Sequence, residues 1–424
     1  QAATEIMEKK GWALVGRPRL CNCLRRDHVG GHAYAGDTQW LRFRRLRKAI
    51  HTHLQPKAAG AYQRIQIDAA KEVVLDILND PKDHARQVLR YAASVILRVI
   101  YWKSTSTSKD DLVIARIAED SKHIQIASRP GAFLVVLLPC LKYVPGYGRV
   151  LHEHHEFELS LFRDQLGRVT DDMSRNKASP SFGRMLLEKI HEHRLSGGEM
   201  AYLCGSLFTA GSDTTAVGIM TLILAAACHP EAQTRVQEEI DAVVGNDRDE
   251  HPHCSLSPTF EDWDQLPQLQ AFISEALRWG PVAPIGAAHR ATRDIVWRGL
   301  CIPVGSIAVG CHWAIARDPI VFPDPETFDP QRWLDPNGDL RTDIHFYNYG
   351  FGQRIRPGLH IANRSLYINS ALLLWSFRIL ERPDAPIDAN GFTDSIITRA
   401  PPFEAEFVPR MEEKKLREIM GGIL

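Results

Sequence analysis

Ala210-Gly211-Ser212-Asp213-Thr214-Thr215 sets a carboxylate and two hydroxyls inside an otherwise apolar helical run. Gly211 weakens a helix, and Asp and Thr side chains compete with its backbone. On the residues alone, this is a kink facing another helix. Glu275 and Arg278 stand one helical turn apart, by themselves an ordinary ion pair. Trp40, Arg42, Arg44, Arg45, Arg47 and Lys48 give one helix a basic face, either solvated or open to an acidic partner. Arg356 lies in the loop Tyr349-Gly350-Phe351-Gly352-Gln353-Arg354-Ile355-Arg356-Pro357-Gly358. Arginine offers five N–H donors and no usable lone pair, so it stabilises negative charge but cannot ligate a metal. His152-Glu153-His154-His155-Glu156 and His191-Glu192-His193 do not match His-Glu-x-x-His, and neighbours on a helix point apart, so both read as solvated faces. Cys21-Asn22-Cys23 lacks the second pair that a zinc site needs. No metal site is expected.

These residues need elements to place them. Apolar residues at three- and four-residue spacing predict helices over Glu5–Gly11, Trp40–His53, Ala59–Asn79, His84–Tyr101 and Asp111–Ile126. Ser196 and Glu199 form a capping-box pair that starts a long helix reaching Cys228. Pro230 opens the next helix, which ends at Gly245, and another runs from Gln268 to Trp279. Short β-like pieces follow at Ile295–Trp297 and Ser306–Cys311, before a last long helix over Leu359–Phe377. Helices with a small β-rich region imply an α+β, mainly α architecture. The chain of 424 residues reads as one domain over 1–424.

Formal net charge is zero, so no global field points to nucleic acid or to an anionic membrane. The eight cysteines are scattered and read as reduced, buried thiols rather than a disulfide framework. No signal peptide or membrane-length apolar run is read. The longest apolar stretch, Ala132–Tyr147, is broken by Pro139, Lys142 and Pro145 and reads as a buried or interfacial segment.

The loop around Arg356, the segment around Asp213, Glu275-Ala276-Leu277-Arg278 with Phe328-Asp329-Pro330-Gln331-Arg332-Trp333, and Trp40-x-x-x-Arg44 occur in order at compatible spacings. Together they resemble the cytochrome P-450 superfamily of heme-thiolate monooxygenases, in its fungal form, from the first residues to about residue 380. The resemblance implies the family's fold, without its N-terminal membrane anchor and early β-sheet portion. It also implies that Asp213 and Thr214 relay protons during oxygen activation, and that Glu275, Arg278 and Arg332 form a buried structural network. Trp40, Arg44, His289 or Arg290, and Arg354 would contact heme propionates, which suits planar donors. Gln353 stands where the family often has arginine.

In that family, the position of Arg356 is the cysteine that binds iron. Without the thiolate push, the family's oxygen chemistry is expected to be lost. The expectation is therefore a chain with no cofactor that performs a non-redox cyclisation or isomerisation of a lipophilic terpenoid or polyketide. Arg356 would act with Asp213 and Thr214, and Arg44, His289, Arg290 and Arg354 would be vestigial propionate sites open to substrate. The alternatives are a heme-dependent monooxygenase as a cysteine-lacking variant, with a reductase partner, and a non-catalytic binder. His360 is a weak replacement for the ligand. The family's location is the cytosolic face of the endoplasmic reticulum, through an N-terminal anchor.

Overall fold

A computed structural model describes residues 1–18, 40–103, 112–128, 132–136, 138–245, 257–344, 347–389, 391–393 and 395–421. Cys21, Cys23, Cys254 and the side chains of Trp40 and Arg42 lie outside the described residues, and with them the Trp40 propionate contact. The long helices are α1 (Trp40–Leu54), α2 (Gln63–Asn79), α3 (His84–Tyr101), α4 (Leu112–Ser128), α5 (Arg149–Ser174), α6 (Gly197–Cys228), α7 (Pro230–Val244), α8 (Pro267–Trp279) and α9 (Leu359–Ser376). The strands are β1 (His289–Arg290), β2 (Ile295–Trp297), β3 (Leu300–Ile302), β4 (Ile307–Ala308), β5 (Phe377–Glu381) and β6 (Ala405–Pro409). They pair antiparallel as β1 with β4, β2 with β3, and β5 with β6. The α+β, mainly α architecture stands as expected.

The core forms around α6. Its N-terminus carries the expected capping box, with Glu199 N–H donating to Ser196 Oγ and Ser196 N–H donating to a Glu199 carboxylate oxygen. Although α6 is long and apolar enough to cross a membrane, 78% of its most apolar window is buried inside the protein. This corrects the expectation that no run reaches membrane length, and burial makes α6 a core helix. Gly205 lets it approach α5 closely, because a Cβ there would lie 2.1 Å from the Phe162 ring.

Several boundaries differ from the sequence expectation. Ala59–Asn79 splits into a short helix, Pro56–Gly60, and α2, because Pro56 starts a separate turn. Ala132–Tyr147, expected to be buried or interfacial, contains two short 3₁₀ turns, and of its described side chains only Val135 is buried. Only part of the histidine-rich face is solvated. His155 is buried against Tyr202 and Glu158 of the α5–α6 interface, and His193 is also buried. Cys204 is buried as expected, whereas Cys140 and Cys301 are exposed.

Candidate functional site

Between Glu199 and Ile219 of α6 every residue is buried except Ser206, Leu207, Ala210, Gly211 and Thr214. These fall at helical spacing on a single face. These positions form one accessible strip along an otherwise buried stretch of helix, and within it the strip ends at Thr214. The Thr214 hydroxyl donates to the Ala210 carbonyl one turn back, at 2.7 Å, so its oxygen keeps lone pairs for another partner. Gly211 packs where a Cβ would meet Ile96 of α3 at 2.8 Å.

Asp213, beside Thr214, is buried and ion-paired to Arg399. The second carboxylate oxygen, Oδ2, is buried without a hydrogen-bond partner. Arg399 comes from a loop fixed by Thr393 N–H donating to the Arg399 carbonyl at 2.8 Å and Thr398 N–H donating to Val282 O at 3.0 Å. Its side chain is 44% exposed, so the pair joins a buried acid to solvent. No sequence signal marked Arg399, because its segment has no periodicity and lies far along the chain from Asp213.

Glu275, Arg278 and Arg332 come together around one carboxylate. Glu275 is fully buried and accepts from Arg278 at 2.7 and 2.8 Å, from Arg332 Nε at 3.1 Å, from Trp333 Nε1 at 2.8 Å and from the Asp329 N–H at 2.8 Å. Arg278 also donates to the carbonyls of Ala316, Pro325 and Thr327. The Arg278 guanidinium is thereby saturated, which is the condition for holding charge in a core, and Arg332 also donates to the carbonyls of Pro323, Asp324 and Thr327. Asn348, just before the Arg356 loop, donates to Leu277 O at 3.0 Å, tying that loop to the same turn of α8.

The expected propionate residues gather only in part. His289 and Arg290 are neighbours on β1 and point to opposite faces, so His289 is buried and Arg290 exposed. His289 donates through Nδ1 to Leu14 O at 2.7 Å, while Arg354 donates to Val15 O at 2.7 and 2.9 Å and lies 3.5 Å from the Phe43 ring centroid. Burial and the nearby Arg17 and Arg354 charges hold the His289 pKa down to about 4. Arg44, adjacent to Phe43, is exposed. Guanidinium donors such as Arg354 and Arg44 suit a heme's two carboxylates, whereas neutral His289, with its one N–H committed to Leu14, offers only an acceptor at Nε2. The iron is not matched: Arg356 has no lone pair to give. His360 is part-buried, with its pKa lowered by burial and by Arg364.

The Arg356 backbone N–H donates to Tyr349 O at 2.9 Å, fixing the loop's turn. Burial pushes the guanidinium pKa below its ordinary value, with Tyr349 opposing. His312, which sequence reasoning missed, sits close enough to feel this charge. Burial and Arg356 together hold its pKa down to about 4, so it is neutral.

The cytochrome P-450 family description matches residues 1–407. Cytochrome P-450 monooxygenase 64 of Postia placenta is 43% identical over 413 residues, covering 97% of this chain and 82% of the relative. A cytochrome P-450 monooxygenase of Armillaria gallica is 32% identical, covering 99% of this chain and 83% of that protein. A zebra fish cytochrome P-450 structure determined with abiraterone superposes with a TM-score of 0.75 at 22% identity, over 96% of this chain and 91% of that one. These are members of a heme-binding family, which overturns the expectation that the chain takes no cofactor. That expectation gave one position, Arg356, more weight than the rest of the scaffold. The non-oxidative cyclase reading finds no support among relatives named as monooxygenases. With the family's motifs in order along its length, the chain belongs to the cytochrome P-450 family.

Proposed function

We propose that the protein is a cysteine-lacking variant of a heme-dependent monooxygenase of fungal natural-product metabolism, with Arg356 at the iron-ligand position. The observation that carries this reading is the accessible strip of α6, ending at Thr214 beside the ion-paired Asp213. Leu207, Ala210 and Gly211 offer a mainly apolar surface to a lipophilic terpenoid or polyketide. Asp213, linked to solvent through Arg399, is positioned to exchange protons on behalf of the Thr214 hydroxyl. Arg44 and Arg354 are the residues assigned to the heme carboxylates, with His289 holding the neighbouring backbone through Leu14. Glu275, Arg278 and Arg332 serve as scaffold.

Arg356 supplies no lone pair, so no oxygen chemistry is assigned to the chain with arginine in place. A reductase partner and a site on the cytosolic face of the endoplasmic reticulum belong to the same reading. The test is the visible spectrum of protein reconstituted with hemin, reduced and exposed to carbon monoxide. The native chain should lack the band diagnostic of thiolate ligation. Arg356→Cys should gain that band and then oxidise a lipophilic probe in the presence of a reductase. A folded Arg356→Cys protein that takes up no heme refutes the reading.

A further inference from the structure

The side chains that hold heme iron in proteins are those of histidine, cysteine, methionine and tyrosine. Within the loop from Tyr347 to Gly358 the residues of these types are Tyr347 and Tyr349. Both hydroxyls are engaged, Tyr349 donating to Asn363 Oδ1 at 2.5 Å and Tyr347 hydrogen-bonding with Thr4. Burial raises the Tyr349 pKa far above its ordinary value, so the hydroxyl keeps its proton at neutral pH. Arg356 has no lone pair. Helix α9 begins three residues later with neither a capping side chain nor an acid in its first turn, so its positive end is uncompensated there. The loop presents positive charge where an iron ligand would present a lone pair.

The groups suited to the other end of the cofactor are intact. Arg354 is buried, its plane fixed by two donations to Val15 O and by the Phe43 ring, whose centroid lies 3.5 Å from the guanidinium carbon. A guanidinium has five N–H donors, so these two bonds do not exhaust it. Arg44 follows Phe43 on α1 and is exposed. Guanidiniums of this kind hold carboxylates whatever metal the rest of the ligand carries.

Resting on the reading that the chain keeps the family's heme site, we propose that this site selects a dicarboxylate porphyrin by its acid edge and is indifferent to the metal. Iron-free protoporphyrin is then as good a ligand as hemin. Apolar contact with the macrocycle and charge at its carboxylates are common to both molecules. Only a coordinate bond would favour the iron-bearing one, and the loop supplies no atom to form it. The ferric centre also brings positive charge towards a loop that is already cationic, so hemin gains nothing over the neutral iron-free core.

The experiment titrates the purified full chain with hemin, iron-free protoporphyrin IX and its dimethyl ester, in a detergent buffer that keeps porphyrins monomeric, and follows quenching of tryptophan fluorescence. Hemin and protoporphyrin should bind saturably with affinities within about fivefold of each other, as expected where no metal–ligand bond forms. Masking the acids in the dimethyl ester should weaken binding by about tenfold or more, because charged hydrogen bonds are lost. Arg44→Gln should weaken hemin and protoporphyrin alike; should it fail to fold, the ester tests the same contact on the unaltered chain. Arg356→Cys should tilt the preference towards hemin by at least about tenfold, through the thiolate it supplies. The proposal is overturned by hemin binding more than about fivefold tighter than protoporphyrin on the native chain, by the ester binding as tightly as the free acid, or by absence of saturable binding. A native preference for hemin that His360→Ala removes would name that imidazole, in the first turn of α9, as the iron's ligand instead. These outcomes are read on the native chain, whereas the oxygenase reading fails on a folded Arg356→Cys protein that takes up no heme, so the two failures are distinct.

Discussion

Replacing Glu275 by glutamine tests whether the network behind the Arg356 loop is held by one carboxylate. Glu275 is fully buried and receives both Arg278 and Arg332, together with Trp333 Nε1 and the Asp329 N–H. Glutamine keeps the shape, removes the negative charge and turns an N–H₂ group toward donors. Breaking a buried pair in this way costs about 3–5 kcal/mol, a large share of the roughly 5–15 kcal/mol that separates folded from unfolded states. An unfolding entropy of about 2.1 cal/mol/K per residue gives this chain of 424 residues about 0.9 kcal/mol/K at its midpoint. The expected loss in Tm is therefore about 3–6 °C, read by scanning calorimetry at a fixed scan rate. Arg64→Gln, which removes an exposed pair with Asp68, is the control and should shift Tm by about 1 °C or less. A Glu275→Gln shift no larger than the control's would refute the argument that the network is an energetic anchor.

Gly205→Ala drives a Cβ into the Phe162 ring; about 1–3 kcal/mol of stability should be lost, and adding Phe162→Leu should recover part of it in urea titrations. His289 and His312 have folded pKa values lowered to about 4 from an ordinary 6.5. Below pH 6.5 the unfolded chain binds protons that the folded chain refuses, so stability should fall as pH drops from about 6.5 to 4. Each histidine contributes up to about 1.4 kcal/mol per pH unit, and His289→Gln should flatten the slope by up to that amount; an unchanged slope contradicts the assignment. A double-mutant cycle with Asp213→Asn and Arg399→Gln should give a coupling of at least about 0.5 kcal/mol, while additive effects would deny the pair.

The sequence made some of this legible and concealed the rest for physical reasons. Periodicity found most of the long helices but gave no bounds for α5, and the capping box of Ser196 and Glu199 located the start of α6, which is buried nearly all round, within the chain itself. Spacing alone made Glu275 and Arg278 an ordinary ion pair, and only the family resemblance joined Arg332 to them. The choice between His289 and Arg290 required knowing that β1 turns alternate residues to opposite faces, one covered and one open. Arg399 and His312 were invisible. Their roles arise from loops brought against Asp213 and Arg356 by tertiary folding, and no local pattern encodes such a meeting. The weight given to Arg356 also misled, since a single residue altered the expected chemistry of a chain whose other motifs spoke for heme.

The loop that carries Arg356 is moored from several sides. Asn348 ties its entrance to α8, the Gly352 N–H donates to Glu8 at 2.9 Å, Arg354 grips Val15, and α9 continues directly from its exit. None of these ties uses the side chain at position 356. Location and chemistry at that position are therefore separable: the fold works as a socket whose insert can be exchanged without rebuilding its walls. A lineage with such a socket could abandon or regain a reaction by a single codon change while keeping every other part of the protein under selection for shape.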